Sequence, residues 1–406
     1  MFGGLRTSFV AGVIAIVIVA AGVVQFVRPI PALVAHASTG TSGTIRGAAP
    51  ALPWPSGVQA TLDIPGIGSF GEKGPITAAP IGSVAKMMTA YLVLKAHPLG
   101  LYSLGPTITV TPQDVTMYQS DAASQQSVMP VVAGEKLTER KLLEGLLIAS
   151  GNNVATMLAD WVGGNTKDFV ASMNQSARQI GLTNTHYVSP SGLNPGTVST
   201  ASDQVKLAEF LMKIPVFAEL VAMPQMTVPG QSQLDYNYNY YVGHDGIIGI
   251  KTGSTLESGG VFIFAGNRIL GDQRFTVYGG VVGQPGTKTA SQLVASLQDG
   301  KSLLDAVSGV VSNHTVMKSG SVVGTVTAPW QPAVNLVTTK PVSLLGWGGM
   351  AYRVHLRLKP VTAHVIAANS VVGALTVATG SQTITVPVAT ESSLKEPSLA
   401  WRMTRL

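Results

Sequence analysis

Three short strings constrain this chain more than anything else in it: Ser83-Val84-Ala85-Lys86, Ser150-Gly151-Asn152 and Lys251-Thr252-Gly253. The first opens a helix-like stretch, Ser83 to His97, that stands behind Pro80 and Gly82 and is closed by Pro98. The second sits between two helical stretches, Leu137 to Ile148 and Val154 to Trp161, and the third ends an apolar strand, Ile247 to Ile250. Each string alone is weak, because an S-x-x-K is expected about once by chance in a chain of this length. Ser392-Ser393-Leu394-Lys395 and Ser172-Met173-Asn174 are such repeats, and neither has the same context. Only one set runs in order through a helix start, an inter-helix turn and a strand.

The chemistry of that set can be read from the residue types. With Ser83 at a helix start, Lys86 lies one turn later on the same face, so its amine reaches the serine hydroxyl without help from another element. A serine hydroxyl is a poor nucleophile at neutral pH and a lysine amine is a base only when deprotonated. Burial, a helix N-terminus and a second cation all lower a lysine pKa, and Lys251 is the candidate second cation. Gly151 suits a tight turn that presents Ser150 and Asn152 together. Ser150 can then relay a proton from Lys86 to a leaving amine, while the Asn152 side chain holds Lys86 and a substrate amide. Lys251 and Thr252 suit a substrate carboxylate, Gly253 lets a ligand approach the strand backbone, and the N–H groups of Ser254 and Ser83 suit an oxyanion. Taken singly, the same strings also describe a capping serine followed by a solvated lysine, a plain helix junction, and a strand that ends in a solvated lysine and a turn.

Composition narrows the classes. The chain has 406 residues, enough for two buried cores, yet only 11% are charged, which suits an exported protein better than a cytosolic one. The net charge of +6 is scattered rather than blocked, so no nucleic-acid stripe is read. With no cysteine there is no disulfide, thiolate zinc site or thiol nucleophile, and a nucleophile has to be a hydroxyl. The seven histidines are dispersed, with no two at ligand spacing on one helix, and no phosphate-loop string appears, so neither a metal nor another cofactor is implied.

Residues Phe9 to Val27 form an apolar run just long enough to span a bilayer, flanked by Arg6 and Arg28. The run reads as a retained anchor, or as a signal segment cut after Ala35-His36-Ala37, and either way the remainder is exported. The expected organisation is a stub and anchor over 1–35, a flexible linker over 36–53, a catalytic domain over 54–308, a small all-β domain over 309–395 and a tail over 396–406. The linker reading rests on its Ser, Thr, Gly, Ala and Pro content. Asn165 to Gly181 reads as a capped helix, Phe275 to Val282 as a strand and Thr287 to Val307 as a last helix. In the all-β part Tyr352 to Lys359 alternates strictly, and Ser321-Val322-Val323-Gly324 recurs as Ser370-Val371-Val372-Gly373, which fits two equivalent hairpins. The tail, with Trp401, Arg402, Met403, Arg405 and Leu406, reads as a frayed end or a membrane contact.

The ordered strings resemble those of the penicillin-binding protein and β-lactamase superfamily, S-x-x-K, S-x-N and K-T-G. More narrowly the chain is similar to the D-alanyl-D-alanine carboxypeptidases, the low-molecular-mass penicillin-binding proteins of peptidase family S11. Lys86-Met87-Met88-Thr89-Ala90-Tyr91, Gly181 to His186, Ser189-Pro190-Ser191-Gly192-Leu193 and Ser199 to Asp203 support this, over roughly residues 54–306, and Val371 to Val377 resembles a strand of the family's second domain. The resemblance implies an α/β (α+β) transpeptidase fold, an antiparallel sheet plus a helical subdomain, followed by a small all-β domain. It also implies two-step acyl transfer: Ser83 attacks the bond between two D-alanines of a peptidoglycan stem peptide, D-alanine leaves, and water cleaves the acyl-enzyme. Penicillins and other β-lactams are expected to acylate Ser83. The chain departs from the family pattern where Ala85 stands for a common threonine, and its candidate anchor is N-terminal rather than C-terminal. A class A β-lactamase would need a deacylating glutamate, and Glu209 and Glu219 lie in helix-like sequence without that loop's pattern. A crosslink endopeptidase would use identical residues and differ only in its cleft. A silent envelope-binding protein, its C-terminal module recognising wall polymer, is disfavoured by the intact Ser83, Lys86, Ser150, Asn152 and Lys251.

Overall fold

The computed structural model describes residues 3–360 and 364–405 and divides into two compact units, 1–49 with 313–406, and 50–312. Helix α1 (Gly3–Val27) opens the first unit and is followed by two short strands, β1 (Val34–Ala37) and β2 (Ser42–Thr44). From Phe9 to Val27 α1 is left exposed and is long and apolar enough to cross a membrane by length and composition.

The second unit is built on a five-stranded antiparallel sheet in the order β11-β12-β13-β3-β4. These strands are β3 (Gln59–Ile64), β4 (Gly68–Lys73), β11 (Ile247–Thr255), β12 (Gly259–Leu270) and β13 (Gln273–Gln284). Helices α7 (Ala201–Leu211) and α9 (Thr289–Val310) pack on the sheet. Sheet residues covered by protein on both faces read as continuous apolar runs, and Val261 to Ala265 is buried throughout.

Beside the sheet lies the helical part: α2 (Lys86–Ala96), α3 (Pro112–Ala123), α4 (Glu139–Leu147), α5 (Asn152–Gly163), α6 (Thr166–Ile180) and α8 (Pro215–Val221). Helix α2 is apolar nearly all round, with Met87, Met88, Ala90, Leu92, Val93 and Leu94 buried, so it runs through the core and carries Lys86 at its first residue into that core. Three two-stranded pairs brace the loops: β5 (Ala79–Pro80) with β8 (Val198–Ser199), β6 (Thr107–Thr109) with β7 (Lys136–Thr138), and β9 (Gln225–Thr227) with β10 (Leu234–Tyr236). The helix expected over Asn165 to Gly181 is α6, with Asn165 accepting from the Asp168 N–H and Gly181 left-handed at φ 78°.

The rest of the first unit is β-rich: β14 (Ser312–Met317), β15 (Val322–Ala328), β16 (Gln331–Thr338), β17 (Val342–Gly346), β18 (Ala351–Leu358), β19 (Val371–Thr379) and β20 (Gln382–Thr390). The Ser-Val-Val-Gly repeat marks two hairpins, β15-β16 and β19-β20, that lie side by side through β16 and β20. Their equivalence extends beyond the four residues. Both have a register shift between the first valine of the strand and the glycine two residues on. Thr338 and Thr390 occupy matching buried positions, each accepting from the N–H of its repeat serine and donating to a backbone carbonyl 2.8 Å away.

Two expectations fail in this unit. The stretch 36–53 reads as a flexible linker from its composition, but β1 pairs with β15 and β2 with β18, closing the two opposite edges of a seven-stranded sheet. Backbone hydrogen bonds and two buried anchors, Leu33 and Ile45, order a segment whose composition alone is too polar to bury much surface. Only residues 38–41 separate the two strands, a reach of at most about 18 Å, so the sheet curls until its ends are neighbours. The tail does not fray: Ser398 caps α10 (Leu399–Thr404), and the Arg405 guanidinium donates to the carbonyls of Gln25, Arg28 and Pro29 at the end of α1. Carbonyls left open at a helix C-terminus are a natural seat for an arginine. Leu406, Met1, Phe2 and residues 361–363 lie outside the described residues.

Glu209 of α7 meets Asp63 of β3 in a half-buried contact that, with burial as the larger cause, raises the Glu209 pKa to about 8. A carboxyl raised on folding contributes stability that is present below its ordinary value near 4.5 and lost as pH climbs through about 8. Glu209→Gln removes that proton, so its melting temperature is expected to fall less between pH 5 and pH 9 than the unaltered protein's, as read by calorimetry.

Candidate active site

The three strings converge in the second unit. A 3₁₀ turn over Gly82–Ala85 precedes α2 and leaves Ser83 half-buried, so a substrate can reach its hydroxyl. The Lys86 Nζ lies 2.8 Å from Ser83 Oγ, 2.7 Å from Asn152 Oδ1, 3.4 Å from Ser150 Oγ and 3.3 Å from the Ser191 carbonyl. Lys251 reaches the same Ser150, donating to its Oγ at 3.0 Å and to the Thr252 carbonyl at 3.0 Å. Lys86 and Lys251 are among the most deeply buried side chains of the protein.

Local backbone explains how each group gets there. Ser150 takes φ 57°, a left-handed conformation that costs a non-glycine residue about 1 kcal/mol, and that turn ends one helix and starts the next with its hydroxyl between the two lysines. The Asn152 N–H donates to the Ser127 carbonyl, and the Asn153 side chain clamps both backbone groups of Met129, which fixes the loop before α4 against the start of α5. On the sheet side, a Cβ on Gly253 would stand 2.8 Å from the Ile81 carbonyl and 3.0 Å from the Ser83 nitrogen. Only a glycine lets β11 lie that close to the Ser83 turn. A Cβ on Gly82 would stand 3.5 Å from the Ser254 nitrogen, so the amides of Ser83 and Ser254 border one crevice. Thr252 is buried in β11 beside Lys251.

Both ammonium groups are pushed toward neutrality. Burial lowers the Lys86 pKa well below 10.5, the Lys251 charge adds to this, and Asp121 of α3 pulls weakly the other way. Burial lowers Lys251 to about 7. A neutral Lys86 has two N–H groups, which suit Asn152 Oδ1 and the Ser191 carbonyl, and one lone pair that can accept from the Ser83 hydroxyl. The arrangement can therefore take a proton from Ser83 and hand one on through Ser150.

All eight residues singled out from the sequence lie in this one place, with one difference. The Asn152 amide, expected to face a substrate, donates to Gln126 Oε1 at 2.8 Å. Sequence reading missed Gln126, Asp121 and the Ser191 carbonyl: no string marks the first two, and the third acts through its backbone.

The sheet with its flanking helices is a penicillin-binding-protein transpeptidase fold. A Haemophilus influenzae penicillin-binding protein 5 structure matches 86% of this chain and 100% of that chain with a TM-score of 0.60 at 19% identity, a likeness of fold alone. The D-alanyl-D-alanine carboxypeptidase family, peptidase family S11, matches over residues 71–269, and the chain belongs to it. It is 32% identical over 212 residues to a D-alanyl-D-alanine carboxypeptidase of a Streptomyces species, covering 48% of this chain and 71% of that one. It is 38% identical over 155 residues to the carboxypeptidase DacB2 of Mycobacterium tuberculosis, covering 37% of this chain and 53% of DacB2. Against DacB2, the Bacillus subtilis DacF and the Escherichia coli DacC, the match spans between 44% and 65% of their own length.

With Lys251 charged only below about 7, its attraction for any anion in the crevice weakens as pH rises past that value. The kcat/KM for a peptide with a free C-terminal carboxylate is expected to show an alkaline limb beginning near pH 7, because kcat/KM reports the free enzyme. In Lys251→Arg, whose side chain stays charged, that limb should move out of the assayable range while the maximum drops. A limb unmoved by the substitution assigns it to another group.

Proposed function

We propose that the protein is a serine-type D-Ala-D-Ala carboxypeptidase that removes the terminal D-alanine from peptidoglycan stem peptides through a Ser83 acyl-enzyme. The reading rests above all on the 2.8 Å approach of a fully buried Lys86 amine to Ser83 Oγ. Family membership supports it.

In this reading the neutral Lys86 takes the Ser83 proton as Oγ attacks the carbonyl between the two D-alanines. The oxyanion is met by the N–H groups of Ser83 and Ser254, and Gly253 leaves room for the substrate to lie along β11. Lys251, while charged, and Thr252 hold the terminal carboxylate. The carbon–nitrogen bond breaks as Ser150 passes a proton from Lys86 to the leaving amine, and D-alanine departs. Lys86 then removes a proton from water, which attacks the ester, and returns that proton to Ser83 Oγ as the ester bond breaks, restoring both groups. Asn152 positions Lys86 throughout, and its amide becomes available to a substrate carbonyl when that carbonyl replaces Gln126. A β-lactam enters the first half of this sequence and stalls in the second. We place the catalytic unit outside the cytoplasm, with α1 as its membrane anchor, a reading supported by the exposed apolar span Phe9–Val27.

The test is D-alanine release from a Lys-D-Ala-D-Ala peptide by the full chain in detergent, beside fluorescent-penicillin labelling. Ser83→Ala is expected to lose both. Lys86→Ala and Ser150→Ala should keep the fold and lose release by about a thousandfold, the order of magnitude for a proton-transfer group. Labelling without release from the unaltered chain would point to cleavage of crosslinks instead, and absence of both would leave a binding protein without catalysis.

A further inference from the structure

Next to the motif strand the chain carries a segment with an unusual pattern, Leu234-Asp235-Tyr236-Asn237-Tyr238-Asn239-Tyr240. Its alternate residues point in opposite directions. Asn237 and Asn239 are buried, while Tyr236, Tyr238 and Tyr240 are 65%, 43% and 50% exposed. In soluble proteins tyrosines ordinarily bury much of their ring, so three exposed ones within five residues, from the end of β10 through a bend and a turn, call for a reason.

The segment is held rigidly from within. The Asn237 amide donates to the Met223 carbonyl at 3.1 Å, Asn237 Oδ1 accepts from the Asn239 N–H, and Asn239 Oδ1 accepts from the Tyr241 N–H. It is also tied to both walls of the active-site cleft. The Asn239 amide donates to the Gly249 carbonyl, two residues before Lys251. Tyr238 OH and Ser127 Oγ lie 3.1 Å apart, and the carbonyl of that same Ser127 accepts from the Asn152 N–H. The three tyrosines thus adjoin the cleft.

The chemistry of the face selects its occupant. From Leu234 to Tyr240 there is no basic side chain, and the one acid, Asp235, is turned partly inward, so the segment itself offers an anionic lipid surface or acidic polymer no cation to pair with. A group of exposed rings with hydroxyl edges suits partners that are themselves ring-shaped, uncharged, apolar on their C–H faces and hydroxylated at the rim. We propose that Tyr236, Tyr238 and Tyr240 form a saccharide-binding platform that stacks the glycan chain to which the stem peptide is attached, and so favours polymer-linked over free peptide. The proposal rests on the stem-peptide reading above and extends it from the peptide to the sugar.

The test compares the unaltered chain with a Tyr236→Ala/Tyr240→Ala double variant on two substrates, a Lys-D-Ala-D-Ala peptide and uncrosslinked peptidoglycan strands bearing the same stem. Tripeptide kinetics should not change, while KM on the strands should rise about tenfold at constant kcat, the scale of losing two aromatic contacts. The Tyr236→Phe/Tyr240→Phe pair, which keeps the ring faces, should recover most of the loss. In the unaltered protein, peptide-free glycan strands should compete with the strand substrate and leave tripeptide turnover untouched. Equal effects on both substrates, or none on the strands, overturn the proposal. If the unaltered chain releases D-alanine from neither substrate, the carboxypeptidase reading fails separately. Co-sedimentation with peptide-free glycan strands then decides: binding lost in the alanine pair supports the platform, and binding absent or unaffected by the pair refutes it.

Discussion

Lys86 and Lys251 are both withdrawn from water and both lie against Ser150 Oγ, which places the two amines roughly 6 Å apart at most. Two unit charges at that separation repel by roughly 3 kcal/mol at an effective dielectric near 20, and each buried ammonium carries a desolvation penalty of several kcal/mol besides. Hydrogen bonds to Asn152 Oδ1, the Ser191 carbonyl and the Thr252 carbonyl offset only part of this. The remaining strain is relieved when a lysine gives up its proton. Burial and the Lys251 charge hold the Lys86 amine well below the ordinary lysine range, and burial lowers Lys251 to about 7. The fold thus sacrifices stability at this crevice and gains a proton acceptor next to a hydroxyl.

Much of the second unit serves to keep that crevice narrow. Helix α2 is apolar around its circumference, so its first residue is carried into the core rather than to the surface. Gly253 allows β11 to approach the Ser83 turn at a distance no side chain would tolerate. Thr89 binds the Pro190 carbonyl at 2.7 Å, which seats the Ser189 to Leu193 stretch over α2 and brings the Ser191 carbonyl to Lys86. A chain segment with no titratable group thereby helps to set the state of the one lysine that matters most.

The parts legible in the sequence are those written in side-chain type and period. Ser83, Lys86, Ser150, Asn152 and Lys251 can be assigned to a helix start, a turn and a strand from Pro, Gly and apolar spacing, and the Ser-Val-Val-Gly repeat marks matching hairpins. What escapes is written in backbone. The β1 and β2 strands bind sheet edges through N–H and C=O groups that every residue carries, so a Ser-, Thr- and Gly-rich stretch looks like a tether. The Ser191 carbonyl has no sequence signature for the same reason. Gln126 is invisible because its contact with Asn152 depends on how a loop returns. The α10 helix depends on the end of α1, a partner more than 370 residues away.

The proton chemistry at Ser83 depends on a Lys86 amine held well below the ordinary lysine range by burial and by the Lys251 charge. An NMR titration of lysine side chains labelled at the ε carbon, with Lys86→Arg used for assignment, measures this directly. The Lys86 signal is expected to titrate well below 10.5, with a midpoint that rises when Lys251 is replaced by methionine and the opposing charge is gone. A Lys86 signal that titrates at or above 10.5 would rule this out, because the Ser83 hydroxyl would then have no base within reach.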